Sequence, residues 1–199
     1  MQKNKQSKMM PDTSVKLLGS GSREVAASMG ILAAETLIRA GIRNIYCSEE
    51  RNGTLVFEQK LKTGTGKGFQ VAYFIEAIPE KKELIVFQKT CNLAANCAHS
   101  NLKWYINAKN NEQMYRRQNI KFLHTGEYCG MQTMTAGFLE ENKVVVETVV
   151  LLSLIAAREY ELMRRIAEGE VPSSIRDEVS FEYRKIMQEW DKDGQKNGF

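Results

Sequence analysis

The chain has 199 residues, of which 43% are hydrophobic and 26% charged, and a formal net charge of +4. That much apolar side chain excludes a wholly disordered chain, and only 3 prolines and 14 glycines exclude a collagenous or low-complexity one. The most apolar uncharged stretch, Thr148–Ala157, is about half of the roughly twenty apolar residues a spanning helix needs. The polar N-terminus lacks the apolar middle of a secretory signal, so a cytoplasmic protein with reduced cysteines is expected.

Residues 1–14 read as a flexible basic arm. Val15–Leu18 is a short strand candidate, and Gly19-Ser20-Gly21-Ser22 forms a turn in which Ser22 can cap a helix. The helix is expected over Arg23–Ala40, with Glu24 in its first turn and Gly41 at its stop. Strands follow at Ile42–Glu50, Thr54–Leu61, Phe69–Ile78 and Glu83–Lys89. Asn52-Gly53 is a hairpin signal, because both central residues of that turn need positive φ. A glycine-rich loop at 62–68 and a turn at Pro79–Lys82 join the remaining pairs, which predicts an antiparallel meander.

The second half reads as mostly helical. Helices are expected at Asn92–Ala108, at Gly126–Leu139 and at Lys143–Glu168, which ends at Gly169. The stretch Asn110–Leu123 fits neither period. The middle of the long helix is apolar all round, which predicts a central buried helix. Ser174 and Asp177 suggest a capping box for a last helix, along which Ile175, Val179, Tyr183, Ile186 and Trp190 recur at helical spacing. The expected fold is therefore α+β. An N-terminal helix lies on a four-stranded antiparallel meander, followed by a helical C-terminal half around one long buried helix. A single domain is expected over 15–190, its helix-plus-sheet part at 15–91 and its helical part at 92–190, with a mobile tail at 191–199.

Charge is unevenly distributed. Up to Thr125 there are 19 basic and 10 acidic residues, whereas from Gly126 onward there are 9 and 14. A basic front favours a polyanion or an acidic partner. Within it, Lys103, Lys109, Arg116, Arg117 and Lys121 alternate with Trp104, Tyr105, Tyr115 and Phe122. Cations neutralise phosphates and release counterions, and aromatic rings can stack on bases. Lys60, Lys62 and Lys67 from the glycine-rich hairpin add charge. The reading is a small non-enzymatic nucleic-acid-binding subunit, for DNA or RNA, with Trp104 or Tyr115 stacking and Arg116 and Arg117 contributing most. The alternative is a structural or adaptor protein, or a homo-oligomer, that assembles through the stripe Ile175, Val179, Tyr183, Ile186 and Trp190.

A nucleotide- or zinc-dependent enzyme is a third reading with weaker signals. Gly19-Ser20-Gly21 imitates a dinucleotide loop, but Glu24 stands where a third glycine belongs and would repel phosphate. Gly64-Thr65-Gly66-Lys67-Gly68 joins two strands, whereas a P-loop opens a helix. Cys91, Cys97, His99, His124 and Cys129 could supply zinc ligands, yet their spacing matches no common zinc module. No catalytic residue, metal or cofactor is assigned, and no membrane partner is expected.

Overall fold

The computed structural model describes residues 22–48, 54–94 and 96–170. The expected N-terminal arm, the Val15 strand, the Asn52-Gly53 turn, the C-terminal stripe and the tail lie outside the described residues. The α+β class holds, but among the described residues the sheet has six strands and the second half contributes two of them.

Helix α1 spans Ser22–Arg39. Its buried face is Met29, Ala33, Ala34 and Leu37, a 3–4 spacing that places small and large apolar groups on one side. Gly41 takes a φ of +90° and ends the helix, with Gly41 N–H donating to Ile38 and Ile42 N–H to Leu37.

Strands β1 (Tyr46–Ser48), β2 (Thr54–Lys62), β3 (Gly68–Ile78) and β4 (Glu83–Asn92) pair antiparallel in sequence. Helix α2 (His99–Asn111) and the short α3 (Gln113–Arg117) follow. The chain then returns to the sheet as β5 (Lys121–His124) and β6 (Tyr128–Thr135). The sheet order is β1-β2-β3-β4-β6-β5. Gly126–Leu139 is thus corrected from helix to strand. Its residues alternate, with Cys129, Met131, Thr133 and Thr135 buried and Gln132 and Met134 half-buried between them. A period of two with β-branched residues suits a pleated strand.

The inner face of the sheet carries Leu55, Phe57, Phe69, Val71, Tyr73, Ile75, Leu84, Val86, Cys129 and Met131, all in one core cluster with α1, α2 and α4. Helix α4 (Val144–Ala167) crosses this face. Polar contacts fix its position: Tyr73 Oη lies 2.6 Å from Ser153 Oγ and accepts from Gln88 Nε2 at 2.5 Å. Burial pushes the Tyr73 phenol up to about 12, against hydrogen bonds from Ser153 and Gln88 that pull it down. The expectation of a helix buried all round is corrected, because Val150 and Leu154 are 51% and 66% exposed. The helix is covered on its sheet side by Val145, Val149, Leu152, Ala156 and Met163, and its opposite side faces solvent.

Candidate functional surfaces

The basic, aromatic segment divides into an inward and an outward half. Tyr115 is 0% exposed and Lys109 only 5%. Both turn towards Glu159 of α4. Lys109 Nζ lies 3.1 Å from Glu159 Oε1 and 3.1 Å from Glu112 Oε1. Tyr115 Oη donates to Glu159 Oε1 at 2.8 Å, Tyr105 donates to the other carboxylate oxygen, and Arg158 Nε lies 3.0 Å from Oε1. Burial by itself would raise the Glu159 carboxyl pKa, but the Lys109 and Arg158 charges outweigh it and hold the group below its ordinary value. A buried carboxylate with two cations and two phenols is a satisfied polar network joining α2, α3 and α4. Tyr115 consequently has no face for a base, and Lys109 no free charge for a phosphate.

The outward half is Lys103, Trp104, Arg116, Arg117 and Lys121, all exposed, with Trp104 at 45%. Arg116 and Lys121 line a shallow depression with Asn110, Asn119 and Ile120. Lys60 and Lys62 are exposed on β2, while Lys121 is on β5. Four strand spacings separate those strands, about 19 Å across the sheet. Lys67 leans on α4, 3.7 Å from Glu161. The twelve basic and aromatic residues singled out in the sequence therefore do not form one patch.

The sulfur and imidazole groups gather as Cys91 with Cys129, near Cys97, and as His99 with His124. Cys91 and Cys129 are directly opposed across β4 and β6, beside a bulge at Thr90. A hydrogen bond from Cys129 holds the Cys91 thiol below its ordinary value, and the same bond drives the Cys129 thiol up. The His99 and His124 rings are 5.8 Å apart. Among the described residues no three of the His, Cys, Asp and Glu side chains are placed to hold a metal ion.

Sequence reasoning missed the outer face of the sheet. Val56, Phe74, Ile85, Phe87, Tyr128 and Met134 point away from the core cluster, in register across four strands. Phe87 stacks obliquely between Phe74 and Tyr128, at centroid distances of 5.8 and 5.7 Å. Lys89 Nζ sits 5.2 Å from the Tyr128 ring. Gly130 leaves space for the Phe87 ring, since a Cβ there would meet Phe87 Cζ at 3.0 Å. The signal was present in Leu84–Gln88, where both alternating sets are largely apolar, Leu84 and Val86 on one side and Ile85 and Phe87 on the other. A strand apolar on both faces is a strand whose two sides are both meant to be covered. Among the described residues, every helix that packs on the sheet joins the core on its inner face.

No family model matches this sequence, and no curated protein does. Among solved structures it is similar to a chain of the "Crystal Structure of the ExsC-ExsE Complex", at 12% identity and a TM-score of 0.46, over 73% of this chain and 98% of that one. No described helix is long and apolar enough to cross a membrane.

Proposed function

We propose that this chain is a non-enzymatic adaptor that binds a protein partner on the outer face of its sheet. One observation carries the reading: Ile85, Phe87, Tyr128 and Met134 form an apolar strip outside the core, with Lys89 over its rim. Contiguous apolar surface rimmed by polar groups favours a protein interface. The occupant that fits is an amphipathic protein segment, its apolar side chains against Phe87 and Met134 and its carboxylates beside Lys89 and Lys60. Aromatic anchors near the centre of a contact are the usual carriers of binding energy. The C-terminal stripe Ile175, Val179, Tyr183, Ile186 and Trp190 is a second partner-binding element in this reading.

A photo-cross-linking residue at position 87 tests it in the native cell, with the same residue at position 116 as the comparison. A discrete protein adduct from 87, abolished by Ile85→Asp, is expected. Equal protein adducts from both positions, or none from 87, would overturn the adaptor reading.

Nucleic-acid binding is the second reading. It is favoured by the exposed Arg116 and Lys121 around one depression. An oligonucleotide adduct at 116, with anisotropy titrations whose salt slope falls in Arg116→Ala/Arg117→Ala, would promote it over the first.

A further inference from the structure

We infer that the solvent side of α4 is the interface of a two-fold dimer, its occupant a second copy of this chain. The stripe on the solvent side of α4 begins with Lys143, just before the helix, and runs through the exposed Glu147, Val150 and Leu154 to the half-buried Ala157 and Glu161. Its residues follow one another at steps of 4, 3, 4, 3 and 4. That is the spacing of a coiled-coil seam, which keeps one stripe of a helix against a partner helix. The stripe runs about 27 Å along the helix. Its centre is Val150 and Leu154, the two most exposed apolar side chains of the helix.

Charge selects both the partner and its direction. Consider a second α4 laid antiparallel, with the two-fold axis at the level of Leu152. Val150 then meets Leu154 of the second copy, Glu147 meets the small Ala157, and Lys143 meets Glu161. Each contact occurs twice, as an isologous interface requires. A parallel pairing would instead set Lys143 against Lys143, Glu147 against Glu147 and Glu161 against Glu161, which costs stability. Lys143 is available for this, since its present partner Glu141 is a surface contact with both side chains more than half exposed. Glu161 already lies beside Arg164 and Lys67, so a third cation completes a mixed-charge cluster at each end of the seam.

The interface lies on the helical side of the molecule, opposite the sheet face argued above. The inference goes beyond the adaptor reading and does not need it. A dimer joined through α4 would present two outer sheet faces, one on each side.

Sedimentation equilibrium of the full chain at micromolar concentration is the test. Twice the monomer mass is expected. Leu154→Glu should weaken association at least tenfold with an unchanged far-UV spectrum, because the side chain is exposed in the monomer. Lys143→Glu should weaken it about as much, and adding Glu161→Lys should restore it. Ile85→Asp, on the sheet face, should leave it unchanged, which separates this interface from the adaptor site. A monomeric wild-type chain, or a dimer that survives Leu154→Glu, would overturn the inference. So would a dimer lost only when residues 174–199 are removed, because that outcome assigns assembly to the C-terminal stripe.

Discussion

Lys109 Nζ and Glu159 Oε1 lie 3.1 Å apart, and both side chains are buried where α2 meets α4. The pair converts what looks like a cationic surface residue into part of the core. Its removal should be expensive, because the surviving charge stays out of water. Glu159→Gln should lower the stability of the fold by about 3–5 kcal/mol, read as a shift of the denaturation midpoint at constant slope. A change under about 1 kcal/mol would mean that water reaches the site.

The same network sets an acid limit. The Glu159 carboxyl is held below its ordinary 4.5 in the folded state, despite burial, by Lys109 and Arg158. The stabilisation is therefore present above about pH 4.5 and is lost as pH falls through the lower, folded value. Unfolding free energy should drop on acidification through that window, and the Glu159→Gln variant should lose less over the same range. Parallel curves would remove Glu159 as the source.

An alkaline limit follows from Tyr73, whose phenol burial pushes from 10.0 up to about 12. The folded state holds the proton longer than the unfolded chain does. The associated stability is complete below pH 10 and lost as pH rises through about 12. Ultraviolet titration of the wild type should contain a phenol ionising near pH 12 that is missing from Tyr73→Phe.

Gly130 and Gly137 should respond differently to alanine. A Cβ on Gly130 would fall 2.2 Å from the Gln88 carbonyl oxygen, inside the sheet. Gly130→Ala should destabilise by about 3 kcal/mol, as the β4–β6 ladder must shift. Gly137 has a φ of +71° but space around it, its nearest neighbour being the Glu140 carboxylate at 3.7 Å. There the cost should be about 1 kcal/mol, the strain of the left-handed backbone alone. Thermal melts of the two variants separate the mechanisms.

Asn110 clamps the edge of the sheet to α2. Its side chain accepts from Phe122 N–H at 2.7 Å and donates to Phe122 C=O at 3.0 Å. Edge strands need such covering, since their open backbone groups invite other chains. Asn110→Ala should cost about 2 kcal/mol and speed amide exchange at Phe122 before it affects β3.

The amino-acid sequence by itself determined the elements whose periodicity is strong and local. The apolar face through Val25, Met29, Leu32 and Ala34, the alternation through Phe69, Val71, Tyr73 and Ile75, and the long apolar run before Gly169 lie in a helix, a strand and a helix. Apolar count alone cannot say which side of an element is covered, so Val150 and Leu154 read as core although they face water. Tertiary structure decided the rest. Tyr128–Thr135 is a strand because β4 offers it a hydrogen-bonding edge, and Gly130, a poor helix former, is the residue that fits under Phe87 there. Lys109 and Tyr115 are core because Glu159, 50 and 44 residues away along the chain, supplies the charge that burial requires. Local pattern records what a residue prefers, whereas burial of a charge or a second apolar strand face depends on partners brought together only by the fold.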